Sequence, residues 1–141
     1  MELGLRHVLK NASSTDWVLF VYNDTVFYRN FSKKLLAAPW KFAPAAVGSV
    51  ICDEKSSAVL HSIGVTLDTW KLRVKDQLSE PGSRLISRGV THEVDALSGR
   101  GALCPVAAFR SVGTMRRRCV PHYLADYELS VRIHRAAIGC L

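Results

Sequence analysis

Trp17-Val18-Leu19-Phe20-Val21-Tyr22 is a continuous apolar run of strand length without solvent-facing alternation. A strand with one wet face alternates apolar and polar residues, so this run predicts a central parallel strand covered on both faces. Its neighbours in sequence fit such a sheet. Leu3, Leu5, Val8, Leu9 and Ala12 fall near helical spacing and predict an opening helix that ends between Asn11 and Ser14. Beyond Asn23-Asp24-Thr25, residues Phe31, Leu35 and Leu36 mark a short helix stopped by Pro39, and Ala46 to Ile51 reads as a second buried strand. Strand, helix, strand in that order implies a parallel crossover.

The second half of the chain is more broken. Ala58 to His61 and Gly64 to Leu67 suggest a hairpin, and residues 68 to 93, poor in apolar positions, read as a surface excursion. Val94-Asp95-Ala96-Leu97 returns to the sheet and Ser98-Gly99-Arg100-Gly101 turns. Pro105 suits the first turn of a helix through about Val112, and a last helix begins near Tyr123 to Asp126. No internal repeat interrupts this order. The 141 residues, 48% of them apolar, are enough for one domain with its own core.

Nineteen Lys and Arg against twelve Asp and Glu give a net charge of +7, with one cluster at Arg116-Arg117-Arg118. A field of that sign favours phosphates, on a nucleotide, an anionic lipid surface or a nucleic acid, without choosing among them. Nucleic acid is not expected as a partner, because no helix-turn-helix or RNA-binding signature and no basic stripe with interleaved aromatics is present. No apolar run approaches the roughly 20 residues that a membrane span needs, so membrane contact would be peripheral. Cys52, Cys104, Cys119 and Cys140 include no Cys-x-x-Cys pair and no long apolar signal run opens the chain, which reads as reduced thiols in a cytoplasmic protein.

Three short segments could carry chemistry. Asn23-Asp24-Thr25 lies at the carboxyl end of the first strand, where ligands gather in open parallel sheets. Asp24 there either holds a divalent cation through hard oxygen or simply leaves the strand through an Asx turn. Asp126, in Pro121-His122-Tyr123-Leu124-Ala125-Asp126-Tyr127-Glu128, is either a first-turn acid favoured by the helix dipole or a general base facing a cleft. Glu128 and Arg132 have the spacing of a helical ion pair. Gly99 and Gly101 let the backbone approach a ligand closely and leave Arg100 to pair with a phosphate or sugar, or they form an ordinary tight turn.

Read together, Ser14 to Thr25, Val94 to Gly101 and His122 to Arg132 resemble the family 2 glycosyltransferases of the GT-A fold, in particular the rhamnosyl- and galactofuranosyl-transferring type. The first segment resembles the strand leading into a variant Asp-x-Asp metal motif, the second an acceptor-side strand and turn, the third the segment with the catalytic base. Similarity spans about residues 3 to 138. The resemblance implies an α/β fold, a partial GT-A domain, Rossmann-like, with a mostly parallel sheet and flanking helices. It implies a transferase that moves a sugar from a nucleotide-diphosphate sugar to a glycan or lipid-linked acceptor with inversion, in cell-surface polysaccharide synthesis.

Carried over by residue, the resemblance gives Asp24, with Asn23 beside it, to a Mg or Mn ion on the donor diphosphate, and Asp126 to deprotonation of the acceptor hydroxyl. Arg100, Gly99, Gly101, His122, Glu128 and Arg132 become substrate-binding residues. Tyr22 departs from the pattern, standing where the family commonly has Asn. The strands that bind the nucleotide base in the family have no counterpart before Met1, so residues 1–141 read as the metal-motif and acceptor-side half of the domain. The expectation is an isolated chain that is inactive, sits in the cytoplasm or on the inner face of the membrane, and self-associates through an exposed apolar edge. The competing reading is a non-catalytic remnant or a basic module for anionic partners.

Overall fold

Helix α1 (Glu2–Asn11) forms because Leu5 and Leu9, four residues apart, stack on one face; Leu5 is buried and Leu9 lies against the core. The computed structural model describes residues 2–37, 46–56, 59–68, 70–71, 73–76, 91–116 and 124–138. After α1 the Ser13 N–H donates to the Asp16 carboxylate at 2.8 Å, a turn that delivers the chain into strand β1 (Trp17–Phe20). Helix α2 (Phe31–Ala37) follows, then strand β2 (Val47–Gly48).

Short strands form two small pairs: β3 (Ile51–Cys52) with β4 (Leu60–Ser62), and β5 (Val65–Asp68) with β6 (Arg73–Asp76). Strand β7 (Ala102–Pro105) runs directly into helix α3 (Val106–Val112). Pro105 precedes the helix with φ −67°, where its missing N–H costs nothing. Helix α4 (Ala125–Ile133) ends the fold and runs on through a π-helical turn, His134–Ile138. No helix among the described residues is long and apolar enough to cross a membrane.

The chain is mixed α/β, but its ladders are not those expected of a parallel sheet. The three-stranded sheet has the order β1–β7–β2, and β7 is antiparallel to both neighbours. Trp17 faces Pro105 and Phe20 faces Ala102 on one side; Val47 faces Leu103 on the other. Strands β1 and β2 therefore point the same way, as the crossover through α2 predicts, with a returning strand inserted between them. The central strand is β7, all four of whose residues are buried, and β1 is an edge strand with Leu19 exposed.

Alternation along β7 divides the core. Ala102 and Cys104 face Leu5, Phe20, Phe109, Leu129 and Ile133, whereas Leu103 faces Leu35 and Val47, with Trp17 and Phe31 alongside. Helices α1, α3 and α4 supply the first cluster and α2 the second, so helices flank both faces of the sheet.

Other pairings also differ from the sequence reading. The apolar run from Ala46 to Ile51 splits at Ser49 and Val50: the Ser49 N–H still donates to the Gly101 carbonyl at 3.1 Å, while Val50 is exposed and the next two residues leave for β4. The 58–61 and 64–67 segments do not pair with each other. Gly64, at φ 108° and closed over by the Val94 side chain, turns the chain away instead, and β5 pairs with β6 inside the stretch read as a surface excursion. Val94 to Leu97 joins β5 rather than β1; the Val65 carbonyl accepts both the Asp95 and Ala96 N–H groups, and the Asp95 carboxylate accepts the Leu67 N–H at 2.7 Å. Pro39, Ala58, residues 77–90 and Pro121 to Tyr123 lie outside the described residues, as do Cys119 and Cys140; neither Cys52 nor Cys104 is in a disulfide.

Phe109 is 2% exposed, with its ring centroid 6.0 Å from that of Phe20. Phe109→Ala is expected to destabilise the fold by about 3–5 kcal/mol, read from urea unfolding. A loss under about 1 kcal/mol would show that this cluster is not the core.

Candidate functional site

Strand β1 ends at Phe20, and the Thr25 N–H donates to the Tyr22 carbonyl at 3.3 Å, closing a tight turn over Asn23 and Asp24. The turn is closed by the backbone, where the sequence offered an Asx turn closed by a side chain, and it exposes both side chains. Asp24 does not stand apart. One Arg100 guanidinium nitrogen donates to its Oδ2 at 2.9 Å, and the Thr25 hydroxyl lies 3.4 Å from its Oδ1.

Arg100 reaches Asp24 because the segment 98–101 is anchored at several points. Gly101 has φ 86°, its N–H donates to the Phe20 carbonyl at 2.9 Å, and a Cβ there would run into Ser49 Oγ. Ser49 in turn donates to the Arg100 carbonyl at 3.2 Å. Gly99 allows a close approach of another kind: a Cβ would lie 3.0 Å from the Tyr22 hydroxyl. Both glycines thus let the backbone fit against the protein's own side chains. The Arg100 guanidinium sits 5.8 Å from the centroid of the Tyr22 ring, within cation–π range.

Asp126 lies in the first turn of α4 and bonds out of its own helix. Its Oδ2 accepts the Gly99 N–H at 2.8 Å and the Tyr22 hydroxyl at 3.3 Å, and Oδ1 accepts the Tyr127 N–H at 3.0 Å. A carboxylate offers about four acceptor positions, and three bonds from described residues already converge on this one. Leu124, just before the helix, has φ 64°. A left-handed non-glycine residue costs about 1–2 kcal/mol and points to a local constraint on how the chain enters α4.

The structure therefore links Asp24, Arg100, Tyr22, Gly99 and Asp126 in one continuous chain of contacts. It places Glu128 and Arg132 elsewhere. Arg132 donates to both Glu128 carboxylate oxygens, at 2.6 and 2.8 Å, and also to the Val112 carbonyl and, at 2.8 Å, to the Thr114 carbonyl. Their charges are spent on each other and on the open C-terminal end of α3. Asn23 shares the turn with Asp24 but is not on the wall of the adjoining cleft. His122 lies outside the described residues.

That cleft encloses about 350 Å³. Asp24, Arg100 and Ser49 line one part, Phe27, Tyr28 and Phe31 give it an aromatic wall, and Asp53, Glu54 and His61 add further polar groups. The Phe27 and Phe31 rings lie 4.4 Å apart. Asp53 accepts the Lys55 and Ser56 N–H groups at 2.8 and 3.1 Å and lies 3.6 Å from His61 Nε2. The Lys55 N–H first, then the Ser56 N–H and His61, hold its carboxyl below the usual range. Sequence reasoning missed this wall, and it missed Tyr22, which stood out only as a departure from a family pattern.

Burial pushes the Tyr22 phenol above its usual value, and the charge and hydrogen bond of Asp126 push it further, against a smaller opposing effect of Arg100. For an acid whose folded pKa is raised, the unfolded chain loses its proton first. Tyr22 therefore contributes stability that is complete below about pH 10 and is lost as pH rises through the folded value. Difference absorbance of tyrosinate, wild type against Tyr22→Phe, should show a titration above that of free tyrosine. Asp126→Asn should move it back down, and an unmoved titration would show that Tyr22 and Asp126 do not interact.

No protein-family model and no curated protein matches the chain, so the roles of these residues rest on their geometry and on the motifs they occupy.

Proposed function

We propose that this domain takes part in glycosyl transfer of the family 2, GT-A type, with Asp24 at the donor diphosphate and Asp126 at the acceptor hydroxyl. The observation that carries this reading is the contact chain Asp24–Arg100–Tyr22–Asp126, which joins two acids from distant motifs, with Asp24 and Arg100 on the cleft wall and Tyr22 and Asp126 behind it. The layered α/β architecture also supports it, since β1 and β2 run in the same direction with helices on both faces. In this reading the sheet is the part of a GT-A domain that carries the metal motif at one strand end and the base on the last helix.

The residues present fit a divalent cation of the hard, oxygen-seeking kind. Asp24 presents an exposed carboxylate on the cleft wall, and its ion pair with Arg100 leaves both side chains about half exposed, at 57% and 43%. An exposed pair of this sort is worth no more than about 1 kcal/mol, so a cation can take the place of the guanidinium. Asp24 would supply one ligand, with Asn23 in the same turn and the diphosphate oxygens completing the shell. Among the described residues no three His, Cys, Asp or Glu side chains are grouped to hold a metal by themselves. Bound Mg or Mn supplies Lewis-acid stabilisation of the departing diphosphate.

The chain's own groups do the rest. Arg100, released from Asp24, stays on its anchored turn and faces phosphate oxygens, for which a guanidinium is suited. In this reading Asp126 takes the proton of the acceptor hydroxyl as that oxygen attacks the anomeric carbon. A single displacement of this kind breaks the bond to the diphosphate and inverts the sugar carbon.

The test uses the chain itself. With Mn added in the presence of uridine diphosphate, amide resonances of Asp24, Thr25 and Arg100 should broaden before others do. The Asp24→Ala variant should lose that selectivity while Asp126→Asn retains it. Equal broadening in wild type and Asp24→Ala would remove Asp24 from the donor site and favour a basic module without catalytic chemistry.

A further inference from the structure

Trp70 is 96% exposed, the most exposed of the large apolar side chains on the described surface. It lies in the loop that joins β5 to β6, where Asp68 faces Arg73 across the hairpin and the Asp68 carboxylate accepts the Lys71 N–H at 3.0 Å. That bond fixes the tip of the hairpin. Lys71, Arg73 and Lys75 are all exposed, and Val74 between them is 65% exposed.

Two ordinary explanations meet only part of this pattern. Lysine and arginine on a free strand guard it against edge-to-edge pairing, which fits Arg73 and Lys75 on β6. A guard has no use for a bare indole at the tip. An occasional exposed apolar residue is also normal, and Val74, on the other face of β6 from Arg73 and Lys75, is one; a fully exposed Trp at the tip with three cations close by is a combined surface. Arg73 and Lys75 are two residues apart on one face, about 7 Å along the strand, and act together within a Debye length of about 10 Å.

We propose that the β5–β6 hairpin docks this protein onto an anionic lipid bilayer, with Trp70 in the headgroup region and Lys71, Arg73 and Lys75 against lipid phosphates. Indole prefers that depth because one side of the ring is apolar and its N–H needs a polar partner. The cations add attraction only where the leaflet is negatively charged. The net charge of +7 gives the whole chain the complementary sign. Nucleic acid would be held by the same charges, but Trp70 would gain less from it than from a lipid interface. This docking does not depend on the glycosyl-transfer reading.

Sedimentation of the full chain with vesicles tests it, comparing phosphatidylcholine alone with a mixture containing phosphatidylglycerol. Binding is expected only to the mixture, weakening as salt rises. Removing two cations in Lys71→Ala/Lys75→Ala should weaken it about 25-fold, about fivefold for each charge. Brominated lipids should quench wild-type fluorescence and leave Trp70→Ala, which keeps Trp17 and Trp40, far less affected. Circular dichroism should show the variants folded, since every substituted side chain is exposed. Equal vesicle binding by all three proteins would overturn the proposal in favour of diffuse charge attraction. So would loss of Trp70 accessibility on duplex DNA without any vesicle binding.

Discussion

β7 is the buried strand around which the rest of the molecule is arranged. Each of its four residues is buried, so its N–H and C=O groups must be paired within the protein. β1 takes one edge and β2 the other, and side chains from β7 supply both halves of the core. The same strand also orders what lies at its two ends. Immediately before it is the Gly99-Arg100-Gly101 turn, and immediately after it is α3, whose Arg110 donates to Ser14 Oγ and the Ala12 carbonyl, both at 2.7 Å. The loop between α1 and β1 is thereby fixed by a residue from the same end of the sheet, where Trp17 faces Pro105.

The candidate site depends on that arrangement. Arg100 can meet Asp24 only because Gly101 still bonds to Phe20, the last residue of β1. Gly99, one residue earlier, meets Asp126 because α4 rests against the same core through Leu129 and Ile133. Ser130 adds a hydrogen bond to the Leu97 carbonyl at 3.2 Å, just ahead of the turn. Two acids that are far apart in sequence are thus held at opposite sides of one short, glycine-bounded segment.

Much of this was legible from residue patterns, and the failures have identifiable causes. Helices α1, α2 and α3 and the start of α4 were marked by apolar spacing and by proline. The identity of the central strand was not, because Ala102-Leu103-Cys104 is a short run squeezed between Gly101 and Pro105, and both flanking residues signal a turn or a helix start. The run at Trp17 carried the right prediction of strand but the wrong prediction of neighbour, since an apolar run reports burial and not the direction of the adjacent chain. Strand β6 was missed because Arg73-Val74-Lys75 looks like solvated loop. At the site, Asp24, Arg100 and Asp126 stood in recognisable motifs. Tyr22 did not: its role comes from a hydroxyl that reaches across to a helix 104 residues later in sequence.

Arg132 has a further bearing on how such a site could move. Its planar head engages Glu128 in its own helix and two carbonyls after α3 at once, so the end of one helix and the first turns of the other form a single block. A lysine could not reproduce that fork. Asp126 is carried on the block, whereas Asp24 sits on an exposed turn held by its ion pair with Arg100, one long backbone bond, and the Tyr22 hydroxyl bond to Asp126. Any change in the separation of the two acids would therefore fall on Asn23 to Thr25, beyond the point where Tyr22 is tied to the block.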